Sequence, residues 1–191
     1  MARPSAGSLW AVVLWLAVLG VGVSPGNGDL LGNLSSLPPV RIICNQNDKL
    51  SIAIRNNKVV LATTDLFDKS QLWVQDYYSV GRLAADDGCR KPFALVNVGT
   101  GMAMLAPSNK FDPMVLVPYN PFACLPLSML WTQGTPVRNN FYQIKLFRDE
   151  SKAFNGLGGN VRDGTIIGWG SAGPTIGDNT LFKIVNFLFT P

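Results

Sequence analysis

The sequence predicts an all-β domain, a closed barrel made from three copies of one four-strand unit. Three observations carry this. From Val40 onward the apolar residues recur with a spacing of two rather than 3.6. No stretch carries a long helical stripe. A run of short strands closing on an aromatic residue comes round three times. A strand turns alternate side chains to opposite faces, so a spacing of two marks a sheet with one buried side.

The first unit reads RIICN, KLSIAIR, KVVLATT and QLWVQ. In its second strand Ile52 and Ile54 alternate with polar or small neighbours, and Asn56-Asn57 supplies the positive φ that a tight hairpin needs. The second unit reads FALVNV, GMAMLA, PMVLVPYN and SMLWTQ; the third reads YQIKLFR, KAFNGL, GTIIGWG and TLFKIV. Each closes on an aromatic destined for the core (Trp73, Trp131, Phe182), and each has a matching apolar residue on its third strand (Val60, Val115, Ile166). Three such units close a barrel with threefold pseudosymmetry, because closure leaves no exposed edge.

Ahead of the units lies LWAVVLWLAVLGVGV, Leu9 to Val23, after a segment with one arginine. It is short of the roughly twenty residues of a spanning helix and fits the apolar middle of a secretory signal. The expected organisation is a signal peptide at 1–26, a linker at 27–39, the barrel at 40–185 and a tail at 186–191. The mature chain would then be secreted or held in the secretory pathway with no membrane span; an uncleaved anchor is the alternative. Asn33-Leu34-Ser35 is a glycosylation sequon in the linker.

Composition narrows the function. With 47% apolar and 15% charged residues the chain has enough hydrophobic surface to fold. Its net charge of +4 is scattered, with Arg90-Lys91 the densest basic pair, so a nucleic-acid track is not expected. Histidine is absent and Glu150 is the sole glutamate, which argues against most enzymes. Asp86 and Asp87 are sequence neighbours in a polar loop, a poor catalytic pair. Cys44, Cys89 and Cys124 form no CxxC, so no metal is expected; Cys44 reads as core, and Cys89 and Cys124 could pair in an oxidising compartment. Asp65 and Asp68 read as loop charges.

One stretch points to a ligand. GTIIGWGSAGPTIGDNTLF, Gly164 to Phe182, ends an apolar strand on Trp169 and then presents Asp178 and Asn179 on a loop. A pyranose offers a face of C–H groups and fixed hydroxyl pairs. A flat ring beside planar hydrogen-bonding groups suits both. The competing readings are that Trp169 is core and that Asp178-Asn179 caps its own turn.

Gln71-Leu72-Trp73 and Met129-Leu130-Trp131 resemble the QxW signature of ricin-B-like lectins. More specifically VRIICN, KVVLAT, FALVNVGTGMAM, MVLVPYNP, SMLWTQ, AFNG, VRDGTII and GDNTLFKIV resemble, in order, the Euonymus lectin domain of plants. The resemblance implies a β-trefoil that binds glycans or glycoproteins, without cofactor, metal or catalysis. It also implies a role in plant stress or defence, although members are mostly nucleocytoplasmic. By the same resemblance the sugar site lies in the third unit: an acidic residue on its second strand, an aromatic platform on its third, and a GDNQ segment. Trp169 and Gly177-Asp178-Asn179 match. Lys152 stands in place of the acid, Ser171 near a usual second tryptophan, Thr180 in place of the glutamine, and Asn155 in place of a histidine. Lys152 would favour an acidic glycan by charge. Weak single sites would favour a homo-oligomer for avidity. The second unit repeats the pattern in degenerate form at Tyr119-Asn120. The alternative is a trefoil that has lost sugar recognition and serves as a protein-interaction or structural module.

Overall fold

A computed structural model describes residues 34, 36–81, 85, 86, 88–173 and 175–187. The leader at Leu9–Val23, the sequon asparagine Asn33 and the second acid of the pair at Asp87 lie outside the described residues.

Each unit contributes four strands. The first holds β1 (Val40–Cys44), β2 (Asn47–Arg55), β3 (Lys58–Thr63) and β4 (Trp73–Asp76). The second holds β5 (Phe93–Asn97), β6 (Met102–Leu105), β7 (Val115–Pro118) and β8 (Leu130–Arg138). The third holds β9 (Phe141–Leu146), β10 (Asp149–Gly156), β11 (Ile167–Ser171) and β12 (Phe182–Asn186). A short 3₁₀ turn precedes the last strand of each unit, at Lys69–Gln71, Leu127–Met129 and Asp178–Thr180.

Strand pairing closes a six-stranded barrel, β1–β4–β5–β8–β9–β12 and back to β1. The register repeats with the units. Val40 faces Trp73, Phe93 faces Trp131 and Tyr142 faces Phe182. On the far side of each closing strand Trp73 faces Asn97, Trp131 faces Leu146 and Phe182 faces Cys44. Along each first strand the two positions that face a closing aromatic are four residues apart, Val40 and Cys44 on β1, Phe93 and Asn97 on β5, Tyr142 and Leu146 on β9, which is the threefold pseudosymmetry expected from the sequence. The β2–β3, β6–β7 and β10–β11 hairpins meet one another at the bridges Val60↔Ile166 and Pro113↔Gly168.

Turn chemistry sets the strand lengths. Asn56 and Asn57 take φ of 49° and 57°, as expected, and Arg55 pairs with Lys58 across them. Asn139 and Asn140 repeat the device with φ of 49° and 62°, joining β8 to β9 with Arg138 facing Phe141. The second hairpin carries the same sequence signal and links two units into one continuous ribbon.

The closing aromatics Trp73, Trp131 and Phe182 are fully buried. Their polar demand is met inside: Trp73 Nε1 donates to the Ile52 carbonyl at 2.9 Å and Trp131 Nε1 to that of Met104 at 3.1 Å. Phe154 fills the corresponding place in the third unit, edge-on to Trp131 and Phe182 with centroids 4.6 and 5.9 Å away. Across the hairpins Ile52 faces Leu61, Met104 faces Leu116 and Phe154 faces Trp169. Leu61, Leu116 and Trp169 are therefore equivalent; of the expected set, Val60 and Val115 do match, facing Ala53 and Leu105, but their third-unit counterpart is Gly168, facing Asn155, and not Ile166. Val115 is 41% exposed. The loops that follow the third strands differ in length, so distance from the closing aromatic does not fix the equivalent position.

Cys44 is buried in the core as expected, while Cys89 and Cys124 are exposed and all three thiols are free. Asp86 is buried and bound to Arg90, Oδ2 to Nε at 2.8 Å, and Arg90 reaches Glu150 at 2.7 Å. The described end of the segment read as a linker is packed: Leu34 lies in a second apolar cluster with Val74, Val80 and Phe147, and Leu37 packs against it. Among the described residues no helix is long and apolar enough to cross a membrane.

Candidate functional site

The β10–β11 hairpin pairs Lys152 with Ser171, Phe154 with Trp169 and Asn155 with Gly168. Alternation therefore places Lys152, Phe154, Trp169 and Ser171 on one face, and Asn155, Gly168 and Gly170 on the other.

On the first face the indole of Trp169 is 7% exposed and belongs to the main core. Its Nε1 donates to the Pro107 carbonyl at 2.9 Å. The Lys152 ammonium stands 4.8 Å from the ring centroid and 3.1 Å from Asp149 Oδ2. A hydrogen bond from Ser151 and then the neighbouring Lys152 hold the Asp149 carboxyl below its ordinary range. Lys152 and Asp149 are both partly exposed, so a cation and an anion stand side by side at the hairpin's outer end with an aromatic floor beneath.

On the opposite face Asn179 Nδ2 donates to Asn155 Oδ1 at 3.0 Å and to the Gly156 carbonyl at 2.9 Å. Two glycines make room. A Cβ on Gly170 would lie 2.5 Å from Asn155 Nδ2, and one on Gly177 would lie 2.6 Å from Asn179 Oδ1. This pair ties the 3₁₀ turn to the hairpin. Asp178 turns elsewhere: its Oδ1 accepts from Asn45 Nδ2 at 2.9 Å and from Arg138 Nη1 at 2.7 Å. Thr180, where the resemblance implies a glutamine, is buried and donates to the Gly177 carbonyl at 2.7 Å.

The expected single hollow, an open indole beside the Asp178 carboxylate, is corrected by this geometry. Trp169 occupies the position filled by Leu61 and Leu116 in the other units, so its ring packs inward. Asp178 is drawn to Arg138 and to the first unit. Of the five candidates, Lys152 and Trp169 are brought together, Asn155 and Asn179 are brought together, and Asp178 stands apart. Asp149, three residues before Lys152, was not singled out in the sequence; an acid that close to a lysine on a strand end was the available signal. In the second unit the degenerate pair is split: Tyr119 is half-buried and donates its hydroxyl to Asp76 Oδ2 at 2.8 Å, while Asn120 is exposed and its Oδ1 accepts from the Phe122 amide at 3.0 Å.

No protein-family model matches the chain. Ricin B-like lectin R40G3 of Oryza sativa subsp. japonica is 35% identical over 172 residues, covering 85% of this chain and 82% of the relative. Ricin B-like lectin R40C1 of the same plant is 34% identical over 156 residues, and ricin B-like lectin EULS3 of Arabidopsis thaliana is 32% identical over 167. The chain spans 43% of the length of the former and 50% of the latter. Among solved structures, the Macrolepiota procera ricin B-like lectin in complex with lactose superposes with a TM-score of 0.56 at 14% identity, covering 78% of this chain and 94% of that one. At that identity the likeness shows the fold alone, a β-trefoil.

Proposed function

The chain belongs to the ricin B-like lectin family, and from that premise we propose that it is a carbohydrate-binding module without catalytic activity. Its ligands are glycans or glycoproteins carrying an acidic sugar, and the site is the outer end of the β10–β11 hairpin. The observation that carries the site is the Lys152 ammonium standing over Trp169 beside Asp149. The ammonium has three donors and the neighbouring carboxylate two acceptor oxygens, so a sugar carboxylate can pair with the first while adjacent hydroxyls donate to the second. Trp169 works from below as a floor, not as an open stacking platform. Asn155 and Asn179 act as positioning residues that fix the 3₁₀ turn against the hairpin, and Asp178 ties the same turn to Asn45 and Arg138. A shallow site of this kind has about −4 kcal/mol at millimolar affinity. Useful avidity then calls for clustered ligands or a homo-oligomer. The chain enters the secretory pathway through Leu9–Val23 and, by its family, acts in plant stress or defence.

A glycan array with the purified chain tests this. Binding to glycans bearing sialic or uronic acids, lost in Lys152→Ala with the melting temperature kept, is the expected result. Silence across the array supports the second reading, a trefoil that has lost sugar recognition and serves as a protein-interaction or structural module. The buried indole is the observation in its favour.

A further inference from the structure

Where the first unit meets the second stand two large rings that the fold does not require. Tyr78 and Phe122 are 79% and 74% exposed, and both line a hollow of about 590 Å³ with Leu34, Leu37, Asp76 and Ser79. The hollow lies where the end of β4 meets the loop after β7. The threefold pseudosymmetry places a counterpart between the second and third units, where the end of β8 meets the loop after β11. That counterpart, about 350 Å³, is lined by residues such as Thr135, Val137, Gln143 and Ile176, with no aromatic among them. The same corner of the trefoil is therefore built without rings. Two exposed aromatics there have no packing role to explain them, and an exposed apolar surface of this sort marks a contact site.

The floor says what would fit. Asp76 is the sole charged residue among those described around the hollow, it is 2% exposed, and its oxygens are occupied. Oδ1 accepts from the amides of Tyr78 and Ser79 at 2.8 and 3.0 Å, and Oδ2 from the hydroxyls of Ser79 and Tyr119 at 2.6 and 2.8 Å. The carboxylate thus orients Ser79 and the backbone below Tyr78 and has no capacity for a ligand. The Ser79 hydroxyl, having donated to Asp76, keeps its lone pairs as acceptors, and the Tyr78 phenol can donate or accept. A charged ligand would find no counter-ion in this lining, and a wholly apolar one would strip water from the hydroxyls without replacing it. A ligand with C–H faces for the rings and neutral hydroxyls for the floor suffers neither loss. We infer that the hollow bounded by Tyr78 and Phe122 is a second saccharide site, specific for neutral sugars and independent of the charged end of the β10–β11 hairpin.

The test titrates the full chain with methyl β-galactoside, methyl α-mannoside and methyl β-N-acetylglucosaminide, using saturation-transfer NMR to detect contact and calorimetry to measure affinity. At least one glycoside is expected to bind, with an affinity insensitive to salt. Tyr78→Ala and Phe122→Ala should each weaken it roughly tenfold. Both side chains are exposed, so the melting temperature should hold. Lys152→Ala should leave this binding unchanged, which separates the inference from the acidic-sugar reading of the third unit. Failure of all three glycosides to bind would overturn the inference, as would binding that survives Tyr78→Ala/Phe122→Ala. Neutral-sugar binding lost only in Lys152→Ala would overturn it as well, leaving the third-unit site standing.

Discussion

The Lys152 ammonium and the Trp169 ring lie 4.8 Å apart, so the cation covers the aromatic face on which a sugar would otherwise stack. Recognition there runs through charge. Lys152→Ala should weaken acidic-saccharide binding at least tenfold, because a charge-assisted hydrogen bond is worth about 1.5–3 kcal/mol. Its cost in stability should stay under about 1 kcal/mol, since its ion pair with Asp149 is partly open to solvent. Calorimetry at low and high salt checks both halves. The wild-type affinity should fall with salt and that of the variant should not.

Trp169 tests the packing argument. Truncating a core tryptophan costs about 3–5 kcal/mol, so Trp169→Ala should lower the urea midpoint severely. Trp169→Leu copies the residues that the fold accepts at the equivalent Leu61 and Leu116, and should recover much of that loss. Urea titrations of both variants decide it. If Trp169→Ala unfolds at the wild-type midpoint, the ring is not part of the core.

Much of the architecture was legible because it repeats. Period-two strands, Asn56-Asn57 and the three closing aromatics each speak for themselves, and threefold repetition turned weak local signals into one topology. The site was less legible, for a reason of one residue. Trp169 stands on a strand whose faces alternate, and the sequence does not fix which face is inward when a loop of uncertain length precedes it. The partners that draw Asp178 away, Asn45 and Arg138, are distant in the chain, so their pull is a property of closure. Tyr78 and Phe122 gave no periodic signal at all, since they lie in loops between strands.

Asp178 should prove to be a tether. Its carboxylate holds both Arg138 at the end of the β8 strand and Asn45 after β1. Arg138→Ala removes a pair that is about half exposed and should cost well under 1 kcal/mol. Asp178→Ala also removes the acceptor of the Asn45 amide and should cost about 1 kcal/mol more. Thermal unfolding of the two variants gives the order. A loss of acidic-sugar binding in Asp178→Ala equal to that in Lys152→Ala, with stability unchanged, would return Asp178 to the binding site.

Asp76 links stability to acid. Burial opposes its ionisation, yet hydrogen bonds from Ser79, Tyr119 and the Tyr78 amide prevail and hold its carboxyl below the ordinary range. Burial and the nearby carboxylate push the Tyr119 phenol the other way, above its usual value, so it stays a donor throughout the neutral range. A carboxyl whose folded value lies below its unfolded one, about 3.9 for aspartate, stabilises fully above that unfolded value. The contribution is lost as pH falls below about 4 and through the folded value. Other lowered carboxyls share in acid unfolding, so the measurement is a difference. Asp76→Asn, which cannot accept all four bonds, should be less stable at neutral pH by about 2–4 kcal/mol. The gap between it and wild type should narrow steadily below about pH 4. Denaturant titrations across that range check the sign; a gap that widened in acid would mean that Asp76 is protonated in the folded chain. Because the same carboxylate fixes Ser79, Asp76→Asn should also weaken neutral-sugar binding at Tyr78 and Phe122 while leaving acidic-sugar binding at Lys152 intact.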